Sequence, residues 1–569
     1  MRKSFALAAL CALALVFSCK KAIVVELPDD KPEEVTPTLE LTSEVSVVFP
    51  VEGGSSAITF TTNSSWTVSS SASWLTVAPK SGNASEEAIA VTATAGANAT
   101  HDELTATVTI KADKLEKTVA FTQEAVPPFN PIASPLTLEA TKDCEINIKN
   151  RWGSSEKTIL YAKNSTKLAD AASGVASKES TITVTLSAGD YVCFFGDNAW
   201  YATNDYNYIN FIPSEDCYIY GNIMSLVDSD GFPTATTLTD PGTFEYMFRG
   251  SKIINHPENK LVLPATTLTE SCYTGMFSGC TGLTEAPDLP ATELPNYCYY
   301  SMFNACTSLT SAPIISANTV GIGSCAYMFQ SCTALVTPPA LPAMTLSRGS
   351  YNYMFNGCTS LTSTPELPAT TLAESCYSYM FQGCSSLTSA PALPATDLFP
   401  YCYEHMFANC TGLTSAADLP ATIAAQNCYA SMFQNCTSLT TAPTISATTL
   451  ATSCFTSMFK GCTALTTPPT LPATTLASNC YCSMFESCTS LTSAPDLLAA
   501  SLVSYCYDYM FRYCSNLNYV RCLAVSASKI KFSSWLSGVA TTGTFVKKEG
   551  VDYYSGDNGI PSGWTVQEE

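Results

Sequence analysis

Cysteine is the residue type with the most chemical potential in this chain, which contains 26 cysteines in 569 residues. Ten of them recur every 26 residues, four positions after a Met-Phe dipeptide, and eight repeats carry another cysteine eight residues earlier, as in Cys376 and Cys384. Such thiols could form disulfides, ligate zinc or stay reduced as small apolar side chains. On a helix, eight residues span about 12 Å, whereas the Cα atoms of bridged cysteines lie about 4.4 to 6.8 Å apart. We therefore predict reduced thiols without disulfides.

Other reactive groups are sparse. The Cys-x7-Cys spacing does not suit zinc, and only three histidines occur, too scattered for a histidine metal site or a Ser-His relay. The carboxylates of the repeats include Glu366 with Glu374 and Asp397 with Glu404, which we interpret as solvated turn and helix-end residues. A glycosidase that uses two carboxylates is therefore the third and weakest hypothesis for function. We predict no enzyme, no cofactor and no metal.

The charge balance excludes a further class of partners. Against 48 acidic residues the chain has 27 basic ones, which gives a net charge of −21. A nucleic-acid-binding protein needs a broad basic surface, so nucleic acid is excluded as a partner.

The Met-Phe dipeptide reveals an internal repeat. It occurs ten times at a spacing of 26 residues, from Met276 to Met510. Such a period is typical of a solenoid, since one unit cannot bury its apolar face without neighbours. In the unit Leu367–Ala392, apolar residues at every fourth position from Leu372 to Cys384 predict a helix, and Gly383 suits its C-terminal cap. The LTSAPAL segment that follows predicts a short strand.

These patterns predict an α+β multidomain protein. We expect a β-sandwich, a second β-rich domain that acts as a cap, a leucine-rich-repeat solenoid of about ten strand-helix units, and a C-terminal cap. The predicted boundaries are 1–18 for a signal peptide, 19–39 for an acidic, proline-bearing tether, 40–125 for the sandwich, 130–240 for the β-rich domain, 241–520 for the solenoid and 521–569 for the last cap.

The first residues have the order of a secretory signal. Arg2 and Lys3 precede an apolar run that is too short to span a bilayer. The ending Val-Phe-Ser-Cys resembles a bacterial lipobox, which implies that Cys19 carries a lipid. We then expect a lipoprotein anchored to the outer membrane by that lipid alone and facing outward. Ordinary signal cleavage, with Cys19 as a bystander, is the alternative.

Residues 40–125 alternate short β-rich runs with Gly-Gly, Asn-Ser and Ser-Gly turns. The segment FPVEGGSSAITFTTNSSWTVSSSASWLTVAPKSG, followed later by AFTQ, resembles a BACON domain, a module of surface and secreted proteins in Bacteroidetes-type bacteria. The resemblance implies carbohydrate or mucin binding, or a spacer role. Trp66 and Trp74 are candidate ligand contacts, and packing in the core of the sandwich is the other interpretation.

The repeat signature MF-x-x-C-T-S-L-T-S-A-P-x-L-P resembles BspA-like leucine-rich repeats, although Met replaces the usual small residue before Phe. The resemblance implies a surface-exposed array for adhesion to host proteins, glycans or other bacteria. A periodic row of tyrosines three residues before Met includes Tyr377 and Tyr403, which are candidate ligand contacts or partly buried helix residues. His405 departs from the consensus and is a weak candidate for specificity.

The leading hypothesis is a monomeric cell-surface lipoprotein that binds host proteins, mucin or other cells through the repeats. A carbohydrate-binding accessory of a polysaccharide uptake system is the alternative.

Overall fold

The computed structural model describes residues 35–100, 102–125, 128–151, 156–204, 207–526 and 528–569. Two compact units, Met1–Pro128 and Phe129–Glu569, divide the chain. Cys19 and the predicted signal peptide lie outside the described residues. Within the described ranges, no helix has the length and apolar character needed to cross a bilayer.

Residues of the first unit alternate between buried and exposed positions, which is the pattern of strands covered on one face. The unit has nine strands: β1 Leu39–Leu41, β2 Ser46–Phe49, β3 Gly54–Thr62, β4 Trp66–Ser70, β5 Leu75–Ala78, β6 Ser81–Gly82, β7 Ser85–Ala95, β8 Leu104–Ala112 and β9 Leu115–Gln123. They form two sheets, in the orders β1-β3-β7-β5 and β2-β9-β8-β4-β6. The apolar faces of the sheets share one core, in which Phe60, Val91 and Ile110 are fully buried.

The second unit begins with further strands. They are β10 Leu136–Ala140, β11 Cys144–Asn150, β12 Lys157–Lys163, β13 Ala172–Ala176, β14 Ile182–Leu186, β15 Tyr191–Phe195, β16 Ala202–Asn204, β17 Asn207–Pro213 and β18 Cys217–Asn222. One sheet has the order β13-β12-β15-β10-β18, and the other has the order β14-β11-β17-β16. Strand β18 also pairs in parallel with β19 (Ile253–Asn255) and β20 (Leu261–Val262), so this sheet leads directly into the repeats.

Successive repeats stack in parallel with an offset of 26 residues. Each repeat contains an extended segment, which we call the extended limb. It makes only short strand pairs with the next repeat: β21 (Glu293–Leu294) pairs with β22 (Thr319–Val320), and β23 (Ile423–Ala424) pairs with β24 (Thr449–Leu450). Single bridges such as Thr345 with Thr371 continue the same register. The recurrent prolines remove donors from this limb, which keeps its strands short.

The predicted α+β class is wrong, and so is the strand-helix repeat on which it rested. The part of the chain that the structure describes contains no α-helix, and its helical segments are two 3-10 helices, Leu168–Asp170 and Ile223–Leu226. Where a helix was expected, each repeat forms consecutive turns. We call this segment the turn limb; in the repeat of Met380 it covers residues 375–384.

Hydrogen bonds in the turn limb alternate along the chain. The N–H groups of residues 376, 378, 380, 382 and 384 each donate to the carbonyl three residues earlier, at 3.1 to 3.4 Å. Those of 375, 377, 379, 381 and 383 each donate to a carbonyl of the next repeat, at 2.8 to 3.1 Å. Neighbouring repeats therefore satisfy half of the turn-limb donors, which an α-helix would pair internally.

Left-handed residues make this alternation possible. Ser375, Tyr379 and Gly383 have φ angles of 56°, 58° and 77°, so every fourth residue reverses the sense of the backbone. A right-handed helix cannot contain such residues. Gly383, expected as a helix cap, instead occupies one of these left-handed positions.

Aromatic rings form a continuous column through the repeats. Eleven phenylalanines stack with centroids 5.5 to 5.7 Å apart and ring planes within 2° to 9° of parallel. They are Phe248, Phe277, Phe303, Phe329, Phe355, Phe381, Phe407, Phe433, Phe459, Phe485 and Phe511. Phe211 packs against the first ring and Trp535 against the last, so the adjoining elements cover both ends of the column.

The recurrent cysteine after Met is buried beside this column. In each of the ten repeats its Sγ donates to the carbonyl of the phenylalanine in the preceding repeat, for example from Cys384 to Phe355 at 3.2 Å. All 24 cysteines that the structure describes are free thiols. Burial raises the pKa of Cys358 and Cys462 to about 12, so these thiols stay protonated and keep the hydrogen available for the carbonyl.

A three-stranded parallel sheet ends the chain: β25 (Tyr519–Cys522), β26 (Gly543–Lys547) and β27 (Trp564–Glu568). Trp535 is fully buried above the last repeat, and its indole N–H donates to the carbonyl of Gly559 at 2.8 Å. This segment covers the apolar end of the stack, as a terminal cap must.

The left-handed positions give a reciprocal stability test. A Cβ at Gly383 would meet nothing closer than the Cα of Gly357 at 3.7 Å, so the cost of Gly383→Ala is conformational. We expect this change to lower the free energy of unfolding by about 1 kcal/mol. Ala305 has a φ of 58° at the equivalent position, so Ala305→Gly should raise the free energy of unfolding by a similar amount. Denaturant titrations measure both, and a shift of both variants in one direction would contradict the explanation.

Thiol reactivity tests the burial of the cysteines. Cys482 is the only described cysteine that is not fully buried. In a protein with Ser at positions 11 and 19, we expect a thiol reagent at pH 8 to modify Cys482 first. Cys482→Ser should abolish this rapid phase, whereas Cys480→Ser should not, since burial raises the pKa of Cys480 to about 12. Rapid modification of many thiols in the native protein would be inconsistent with the structure.

Candidate binding surface

The turn limb also carries a row of rings on its outer side. Tyr327, Tyr353, Tyr379 and His405 directly precede Met in four consecutive repeats, and all four are half-buried. Their left-handed backbone, with φ between 54° and 58°, turns these side chains away from the phenylalanine column. Tyr300 lies against Tyr327 at 5.3 Å with its ring tilted by 58°. We call these five residues the aromatic row.

The rings of the row are packed more closely than those of the core. Centroids are 4.8 Å apart for Tyr327 and Tyr353, 4.3 Å for Tyr353 and Tyr379, and 4.6 Å for Tyr379 and His405, with planes within 9° of parallel. The faces of the inner rings therefore cover each other, and the ring edges are the parts that stacking leaves uncovered.

A ladder of side-chain amides runs beside the rings, two residues after Met. Asn304 donates to Gln330 at 2.8 Å, Gln330 to Asn356 at 3.2 Å, and Asn356 to Gln382 at 2.8 Å. We call these four residues the amide row. Each amide has two N–H groups and two acceptor positions, so the ladder leaves hydrogen-bonding capacity for a partner.

The surface that these two rows form is close to neutral. Burial lowers the pKa of His405 below its usual value, so its imidazole is uncharged at neutral pH. Burial raises the pKa values of Tyr327 and Tyr379, and the Glu404 carboxylate adds to the shift at Tyr379. Burial also raises the pKa of Glu404 itself, against a hydrogen bond from Ser378. Aromatic edges and neutral amides therefore dominate the chemistry of this surface.

Apart from His405, the residues proposed from the sequence lie elsewhere. Trp66 is 5% exposed, meets Phe60 edge to face at 5.2 Å, and donates its indole N–H to the Asn83 carbonyl. Trp74 is partly buried against the same core. Tyr377 and Tyr403 stack on each other at 5.8 Å and are only 2% and 1% exposed.

The tyrosines of the aromatic row were not singled out by the sequence. The signal that could have found them is the dipeptide Tyr-Met in three consecutive repeats, followed by His-Met. The tyrosines three residues before Met form the more regular pattern, because they recur almost throughout the array. His405 departs from the consensus, and the structure places it at the end of the aromatic row.

Metal-ligating residues do not converge in the described ranges, where no group of three or more His, Cys, Asp or Glu side chains is placed to hold a metal ion.

Comparisons with known proteins agree with the two kinds of unit. A family model described as "Viral BACON domain" matches residues 39–126. Another, described as "BspA type Leucine rich repeat region (6 copies)", matches residues 349–466 and 456–535. No curated protein matches the chain.

One solved structure shows a limited likeness. The GH5 xyloglucanase of Bacteroides ovatus, in complex with a XXXG heptasaccharide, is 26% identical over 17% of this chain and 21% of the enzyme, with a TM-score of 0.15. The chain thus spans about a fifth of that enzyme, and the likeness carries no argument about function. From the family matches, this chain contains a BACON domain followed by BspA-type leucine-rich repeats.

Proposed function

We propose that this protein is a non-catalytic recognition protein that binds a host protein, mucin or a protein of another cell through the aromatic and amide rows. The observation that carries the proposal is the half-buried stack of Tyr327, Tyr353, Tyr379 and His405 beside the amide ladder. Both matched families are families of binding domains, which supports a role in recognition.

The arrangement of the rings favours a protein partner over a sugar. A pyranose ring binds an aromatic side chain through its open face, whereas the faces of the inner rings are already occupied by one another. Tyrosine is enriched in protein interfaces, and tyrosine and asparagine are both enriched in antibody binding surfaces. Because the rings are fixed by stacking before a partner arrives, little side-chain entropy is lost on binding.

The position of the protein in the cell is part of the proposal. A lipid on Cys19 would hold the chain at the outer membrane, and the BACON unit would act as a spacer between the anchor and the repeats. Burial of Trp66 supports the spacer role, since its ring is enclosed by the core of the sandwich.

The test replaces two rings by the residue that other repeats carry at the same position. Ser431, Ser457 and Ser483 directly precede Met in three later repeats with the same left-handed backbone, so Tyr353→Ser with Tyr379→Ser should keep the fold. We expect this double variant to bind immobilised mucin or fibronectin at least about tenfold more weakly than the parent chain, the size of effect seen for central aromatic residues of interfaces. Surface plasmon resonance with the full chain measures the affinities.

Tyr519→Ala, at an exposed tyrosine outside the row, is the matched control and should leave the affinity unchanged. Equal binding by the parent chain and the double variant would contradict the assignment of the surface. Strong binding to plant or host polysaccharides that carry no protein would instead support the carbohydrate-binding alternative.

A further inference from the structure

A pocket at the C-terminal end of the stack has a positively charged lining, although the chain as a whole is acidic. It has a volume of about 590 Å³ and lies between residues 502–508 of the last repeat and residues 529–533, with Ser526 and Asn558 also in its lining. Its charged lining residues are Lys529, Lys531 and Asp508, a net charge of +1 from two positive groups and one negative group. In a chain with a net charge of −21, a cavity with a positive lining requires an explanation.

In four other cavities of the protein, the net charge of the lining residues is negative. Their charged lining residues sum to −1 in each case, for example Lys260, Glu285 and Asp288 in the cavity beside the first repeat. The lining at the C-terminal end therefore differs in sign from those of these four cavities.

The local backbone directs both ammonium groups to the same side. Residues 529 to 533 alternate between exposed and buried, and Ile530 and Phe532 are buried in the cap. Lys529 and Lys531 therefore share one face, as residues two apart do in an extended chain. Their Nζ atoms lie 5.4 and 5.9 Å from the centroid of the Tyr554 ring, so both ammonium groups lie beside the same aromatic ring.

The lysines have no acidic partner among the residues that the structure describes, since none of the ion pairs between those residues includes Lys529 or Lys531. Asp508 lies at the wall of the pocket, where its carboxylate accepts the backbone N–H of Ser533 at 3.1 Å. Two like charges near each other repel, and an anion between them would relieve that repulsion.

The remaining lining suits a sugar. Tyr505 is 61% exposed, and none of the ring contacts between described residues involves it, so its ring face is open, in contrast to those of the aromatic row. Ser504 offers a hydroxyl group. The side-chain carbonyl of Asn558 accepts the Ser534 N–H at 2.8 Å, which leaves its amide hydrogens as donors.

We propose that this pocket binds an acidic saccharide, with the carboxylate or sulfate held by Lys529 and Lys531 and a sugar ring packed on Tyr505. An ammonium group binds such anions through charge-assisted hydrogen bonds. The volume lies within the range of known small-ligand sites. The site is separate from the aromatic row and does not depend on the proposed function.

The test titrates the full chain with three tetrasaccharides and one tetrapeptide by isothermal titration calorimetry. The probes are a hyaluronan tetrasaccharide, which carries carboxylates only, a chondroitin sulfate tetrasaccharide, neutral cellotetraose and tetraglutamate. We expect the two acidic saccharides to bind and cellotetraose and tetraglutamate not to bind. The stronger of the two acidic saccharides identifies the carboxylate or the sulfate as the preferred anion.

Variants locate the binding in the pocket. Lys529→Gln with Lys531→Gln should weaken binding of the acidic saccharides by about tenfold or more, and Tyr505→Ala should weaken it without changing the net charge. Lys548→Gln is the matched control, an exposed lysine of the same cap outside the pocket. An equal loss in this control would overturn the site, as would equal binding of cellotetraose. Tetraglutamate binding as tightly as the saccharides would overturn the assignment to sugar and indicate an acidic peptide.

Discussion

The alternation of hydrogen bonds in the turn limb is the constraint on which the rest of the second unit depends. Every second N–H closes a turn within its own repeat, and the others need a carbonyl at the matching position of the next repeat. An inserted or deleted residue in this limb would leave buried donors without acceptors, at a cost comparable to a lost hydrogen bond each. The ten Met-Phe dipeptides consequently keep a spacing of 26 residues, and each side-chain position becomes a straight column.

The same geometry explains how far the sequence could predict the fold. The period, the repeat family and the β-rich character of the first unit followed from the residues. The prediction of a helix was wrong, because apolar side chains at every fourth position, from Leu372 to Cys384, fit both an α-helix and a chain of four-residue turns. The distinguishing signal was the left-handed position at the same period, where Gly383 could be recognised but Ser375 and Tyr379 could not. In the candidate surface, the error was of two residue positions, between the fully buried tyrosine column and the half-buried one.

The columns separate an unchanging core from a variable surface. The phenylalanine column and the thiols beside it are buried and nearly invariant along the array. The position directly before Met carries tyrosine, histidine, serine or glycine, while the core beneath it does not change. A surface can thus vary from repeat to repeat without a change in the packing of the core beneath it.

The bonds between turn limbs all run in one direction, from the N–H of one repeat to the carbonyl of the next. Five peptide groups in each repeat that another repeat follows, such as those from Ser375 to Gly383, are therefore aligned along the stack. The extended limb offsets this alignment only in part, with bonds such as that from Thr414 back to Thr388. Aligned peptide dipoles add, as they do in a helix. The stack is thus an electric dipole whose moment grows with the number of repeats, and its positive end is the one that the C-terminal cap covers.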